Sequence, residues 1–153
     1  MRKIYLLCSV FAVCLTMLTY TETEAKAAKI VLGYTTGEAA SYQSLTAYQH
    51  YINAAALDTY AFNKKGDIIG DTPKKQLSFA KKKRLKTWAV ISNYNESIHD
   101  FDGNLASTVM SGKTARQHFT EQLITLAKKQ SFTGINIDFE AVKPNERAKY
   151  SSF

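Results

Sequence analysis

Cysteine is scarce in this chain of 153 residues: Cys8 and Cys14 are its two examples, and nothing from Ala28 onward contains one. Past that point a disulfide framework and a cysteine-ligated metal are both excluded. A fold without such staples must stand on its hydrophobic core. The three histidines, His50, His99 and His118, show no metal-ligand spacing, so neither a metal nor another cofactor is expected. Repeats and low-complexity tracts are absent as well, which excludes solenoid and fibrous architectures. Long apolar runs are also missing. The best, Ile4 to Leu18, is broken by Ser9 and Thr16 and falls short of the roughly 20 residues that cross a bilayer.

What is present at the N-terminus reads as an export signal. Arg2 and Lys3 give the positive start, the apolar stretch follows, and Ala25-Lys26-Ala27 fits the small-x-small cleavage rule. The expected division is a signal peptide over 1–27 and one domain over 28–153, with no stable membrane anchor after cleavage. A lipoprotein reading of Cys14 is disfavoured by the branched Val13 before it. Export to the cell wall or another extracytoplasmic layer is the expected localisation.

Hydrophobic residues make up 45% and charged residues 22%, values of a globular protein that can bury a core. The formal charge is +7; losing residues 1–27 removes three basic and two acidic side chains and leaves +6. Such a field draws the chain towards anionic polymers. Its densest patch, Lys81-Lys82-Lys83-Arg84, reads as the solvated end of a helix. Single-stranded nucleic acid would require aromatics interleaved with these lysines, and only Phe79 and Trp88 lie near, so no nucleic-acid partner is expected.

Hydrophobic patterning predicts a regular alternation. Strands are expected over 29–35, 55–62, 87–92 and 134–139, with Ile68-Ile69 as a short return after the turn at Gly66-Asp67. Helices are expected over 42–52, capped by Ser41; from Pro73 to about Arg84; and over 114–130, with Phe119, Leu123, Ile124 and Ala127 on one face. A further helix begins at Pro144, and 93–104 reads as a polar loop. Strand–helix alternation implies right-handed parallel crossovers, in an open doubly wound sheet or a barrel.

The segment Thr133-Gly134-Ile135-Asn136-Ile137-Asp138-Phe139-Glu140 carries the chemistry. Side chains alternate along a strand, so Asn136, Asp138 and Glu140 share one face and Ile135, Ile137 and Phe139 the other. Three polar groups pointing into a barrel are costly unless they serve a site. Glu140 comes last, at the C-terminal end of the strand, where barrel active sites lie.

This segment resembles the DGxDxDxE motif of glycoside hydrolase family 18, the chitinase-like enzymes. Gly134, Asp138 and Glu140 match, while Thr133 and Asn136 replace two acidic residues. Asparagine at the inner position is similar to the spore cortex-lytic branch. Tyr60-Ala61-Phe62-Asn63 with Gly66-Asp67-Ile68, Ile91-Ser92-Asn93 and Gly33-Tyr34 resemble the second, third and first strand segments in the same order. The resemblance implies an α/β fold, a (β/α)8 TIM barrel. Because such a barrel takes about 250 residues, this chain is expected to supply roughly its first four β/α units.

The resemblance further implies a secreted glycosidase, in the cell wall or spore envelope, acting on β-1,4 linkages beside N-acetylated amino sugars in peptidoglycan or chitin. Glu140 would be the acid, and Asp138 would orient the substrate's own acetamido group as nucleophile, with Asn136 beside it. Since Glu140 must hold a proton to act, it is expected to be buried next to Asp138. Tyr34, Tyr60, Phe62, Ser92 and Asn93 are the implied substrate-binding residues. Low activity is expected of this length of chain alone, and a non-catalytic carbohydrate-binding relative is the alternative.

Overall fold

The computed structural model describes residues 29–153. The expected signal over 1–27, with Cys8 and Cys14, lies outside the described residues.

Four strands form a parallel sheet in the spatial order β1 (Leu32–Thr35), β2 (Ala54–Phe62), β4 (Lys86–Ser92), β7 (Gly134–Asp138). Each joins its neighbour through a helix on the same side: α1 (Ala39–Tyr48), α2 (Lys74–Lys82), and the pair α3 (Gly103–Ser111) and α4 (Lys113–Gln130). β3 (Ile68–Gly70) folds back antiparallel on the end of β2, as the turn chemistry at Gly66-Asp67 anticipates. The chain ends in a 3-10 turn at Pro144–Glu146 and α5 (Arg147–Ser152). This is the α/β fold expected from the alternation.

The sheet is curved. Adjacent strands lie about 4.8 Å apart, so β1 and β7 would stand about 14 Å apart if flat. Yet the Asn136 amide nitrogen on β7 donates to the Tyr34 hydroxyl on β1 at 2.9 Å. Two side chains of this length meet over three strand spacings only from the concave side of a bent sheet.

The convex side holds the core. Ala55, Leu57, Ala89 and Ile91 are buried there, with Ile135 and Ile137 packed against them. Phe62, Phe119 and Phe139 form an aromatic centre, with ring centroids 4.8 Å apart for Phe62–Phe119 and 5.4 Å for Phe62–Phe139. Gln76 of α2, buried with them, donates to the Thr36 and Glu38 carbonyls at 2.9 and 3.3 Å and so ties α2 to the start of α1.

Several local expectations change. Ser41 lies within α1 rather than capping it; Glu38 is the residue before the helix, and the Ser41 hydroxyl accepts the Thr36 N–H. On α4, Phe119, Leu123 and Ala127 face the core, but Ile124 is exposed, since four apolar positions span more arc than the sheet covers. The segment 93–104 is no plain loop: a small hairpin, β5 (Tyr94–Asn95) with β6 (Asp100–Phe101), leads into α3. Its helix start is legible afterwards, because Asp102 accepts the backbone N–H groups of Asn104 and Leu105 as an N-cap.

Candidate active site

At the C-terminal ends of the strands the concave face opens into a cavity of about 380 Å³. Asp58, Ser92, Tyr94, Glu96, Phe101, Asp138 and Glu140 are among its lining residues. Strand register explains the convergence. Asn136 sits opposite Val90, and Val90 opposite Asp58, in one row across the sheet; Asp138 sits opposite Ser92 in the next. All five therefore occupy the concave face, as the period of two requires.

Glu140 is placed by its backbone. β7 stops at Asp138 rather than continuing through Phe139, so Glu140 stands two residues past the strand. Asn93, fully buried, grips that peptide from both sides: its amide oxygen accepts the Glu140 N–H at 2.8 Å and its amide nitrogen donates to the Glu140 carbonyl at 2.8 Å. The same nitrogen donates to the Asp102 carbonyl at 2.9 Å. Just beyond, Ala141 has φ of 53°, a left-handed kink that turns the chain away. Gly103 at the start of α3 packs so closely there that a Cβ would stand 2.2 Å from the Ala141 carbonyl oxygen. Only glycine lets α3 back up this lead-out.

Not every expected site residue falls in the cavity in the role anticipated. Glu140 is exposed at the cavity, not buried beside Asp138. Asn93 has both amide groups engaged with backbone and no surface left for substrate, so it is a scaffold for Glu140. Phe62 is 1% exposed in the convex core. Tyr60 contributes to the cavity lining, but its ring lies in that core, edge-on against Phe132, and its hydroxyl donates to Thr72 at 2.8 Å. The reason is a bulge in β2 between Asp58 and Tyr60. Without it, residues 58, 60 and 62 would share one face; the irregularity leaves Asp58 concave and sends Tyr60 and Phe62 to the helix side. Tyr34 and Ser92 do stand on the concave side, Tyr34 against Asn136 and Ser92 beside Asp138.

The sequence reading missed Asp58. Its signal was a lone carboxylate in an otherwise apolar strand, Ala54-Ala55-Ala56-Leu57-Asp58. Asp58 is exposed to the open cavity, yet the protein packed around it, and then the charge of Asp138, hold its carboxyl above the ordinary aspartate range. The hairpin was missed too. Tyr94 and Phe101, their centroids 5.7 Å apart in an edge-on pair, put aromatic surface beside the carboxylates.

No family model matches the chain. An uncharacterized glycosylase, YvbX, of Bacillus subtilis is 61% identical over 153 residues, the whole of this chain and 44% of the relative. A class V chitinase from Pseudomonas fluorescens superposes with a TM-score of 0.74 at 34% identity, over 82% of this chain and 39% of that one. A chitinase from Chromobacterium violaceum does so with a TM-score of 0.75 at 30% identity, over 82% and 39%. The spore cortex-lytic enzyme SleL of Bacillus cereus shares the fold, with a TM-score of 0.71 at 20% identity, over 79% of this chain and 30% of its own. The chain thus spans well under half the length of these relatives. In its β/α order and in the concave site at the strand ends, the chain is similar to these chitinases and glycosylases over the part of them that it spans.

Proposed function

We propose that the protein is an exported glycosidase that cleaves the β-1,4 linkage next to an N-acetylated amino sugar, in peptidoglycan or a chitin-like glycan, with retention of configuration. The observation that carries this reading is the geometry at Glu140. A carboxyl group fixed at its peptide by Asn93 overhangs the cavity that Asp138 and Ser92 line.

In this mechanism Glu140 gives its proton to the glycosidic oxygen as that bond breaks. The substrate's acetamido carbonyl oxygen forms the new bond to the anomeric carbon, giving a cyclic oxazolinium-type intermediate. Asp138 faces the acetamido N–H and stabilises the positive charge that develops there. Water then opens the ring, and Glu140 takes back a proton, now acting as the base. Asn136 and Tyr34, hydrogen-bonded to each other, form the floor beneath the sugar. Tyr94 and Phe101 offer a face on which a pyranose ring can pack. The cell wall or the spore envelope is the corresponding place of action.

The test is Glu140→Gln in the whole enzyme, assayed on N-acetylglucosamine tetramer and on peptidoglycan. Removing the acid proton should lower turnover by about 10²–10⁴-fold, while the tetramer still binds. Near-normal turnover by this variant means that another group is the acid. Binding without turnover by the unaltered enzyme points to a carbohydrate-binding relative instead.

A further inference from the structure

Among the described residues, four carboxylates, Asp58, Glu96, Asp138 and Glu140, line the concave cavity, and no lysine, arginine or histidine does. The chain as a whole carries +7. An acidic cavity in a basic protein needs an explanation, because like charges in one cleft repel and cost stability. Glu140 and Asp138 have roles in the proposed reaction. Asp58 has none so far, and it is the acid most firmly set into the sheet, on a strand paired on both sides. β2 brings nothing but alanines to the concave face before it, at Ala54 and Ala56, and the bulge after it turns Tyr60 and Phe62 away.

The position opposite is equally informative. Asp58, Val90 and Asn136 share one row, with Asp138 one step further along β7 on the same face. Asn136 is neutral and donates to Tyr34. The charge nearest to Asp138 within the sheet therefore comes from β2 and not from its own strand.

We propose that Asp58 is the second carboxylate of this site, a positioning residue that acts through Asp138 in place of the charge that Asn136 lacks. Its consequence for turnover rests on the glycosidase reading above; its coupling to Asp138 does not. The titratable groups that share its cavity from other elements are Asp138 from β7, Glu140 from the lead-out, and Glu96 and Tyr94 from the hairpin, with Tyr34 one row back on β1. Negative charge beside Asp138 opposes any rotation of that carboxylate towards β2 and keeps it directed at the substrate side. As pH falls, Asp58 takes up a proton earlier than an ordinary aspartate, since burial and Asp138 both raise it. The pair loses a charge there, and turnover falls with it.

Two measurements on the whole enzyme decide the matter. In the first, carboxyl-carbon NMR follows Asp58 through a pH titration in the unaltered protein and in Asp138→Asn. The Asp58 midpoint should start above the ordinary aspartate value and move down in the variant. An Asp58 midpoint indifferent to Asp138→Asn overturns the proposal, whatever the enzyme cleaves. In the second, kcat and KM on N-acetylglucosamine tetramer are measured against pH. Asp58→Asn should lower kcat by about ten-fold or more, with KM within about three-fold, and flatten the acid-side fall. Adding Asn136→Asp, which returns a carboxylate to the same row, should recover part of the lost kcat. An unchanged kcat and pH profile in Asp58→Asn, or a double variant no better than the single one, overturns the proposal. Loss of activity in Glu140→Gln alone tests the glycosidase reading separately.

Discussion

The two faces of the same four strands have opposite characters. On the convex face Leu57, Ile91, Phe62 and Phe139 are packed with Phe119 of α4, and the buried Gln76 has carbonyl partners. On the concave face Asp58, Asp138 and Glu140 share an open cavity that no cation among the described residues lines. The convex face gains free energy from burial, at about 25 cal/mol per Å² of apolar surface. The concave face gives some of it back by crowding like charges. One strand supplies both, residue by residue, so the rigid side holds the unfavourable side in place. That division is why a substitution on one face should register mainly in stability and a substitution on the other mainly in turnover.

The comparison can be broken most forcefully at Phe119, whose ring contacts Phe62 and Phe139 in the convex core. Phe119→Ala should cost about 3–5 kcal/mol of stability, seen as a lower midpoint in urea unfolding. A loss below about 1 kcal/mol would show that the aromatic centre is not the core it looks to be.

Asn93 lies where the two faces meet, and Asn93→Ala should register on both. Its loss orphans the Glu140 N–H and two carbonyls, each worth about 1–3 kcal/mol if left unpaired in the interior. Turnover should fall with KM little changed, because the Glu140 carboxyl loses its anchorage. Full stability together with full turnover would remove Asn93 from the scaffold.

The smallest effect is expected at the convex rim, where Asp67 accepts from Asn63 at 2.9 Å and pairs with His118 at 2.7 Å. The Asn63 hydrogen bond first, and His118 second, hold the Asp67 carboxyl below its ordinary value. A depressed aspartate stabilises the fold above its unfolded value, about 3.9, and that stability is lost as pH falls through the folded one. Asp67→Asn should therefore lower thermal stability slightly at neutral pH, leave it unchanged in strong acid, and weaken its dependence on pH below about 4. A variant with the same acid dependence as the unaltered chain would discharge Asp67 from that role.

Much of the fold was legible in one dimension. Apolar runs such as Thr87 to Ser92 and the helical face of Phe119, Leu123 and Ala127 announce themselves by period, because burial on one side repeats every two residues in a strand and every 3.6 in a helix. Hydrophobic pattern missed α3, whose only strong local cue is the Asp102 cap. The family resemblance, for its part, placed Phe62 in the site, and the structure puts it in the convex core. A bulge is one extra residue in a ladder, and nothing in the composition of Asp58-Thr59-Tyr60 announces it.

By itself, then, the order of residues determined the β/α alternation, the acidic pair at the end of β7 and the face that Asn136 and Asp138 share. These depend on neighbours in sequence, through strand pleat and turn chemistry. Tertiary structure alone decided that Asp58 joins them, that Asn93 serves Glu140's backbone, and that Tyr34 reaches Asn136. Each of these unites residues tens of positions apart, and each depends on how far the sheet bends and where one strand slips. Curvature and register are properties of the whole sheet, set by packing on its far side, and no single segment contains them.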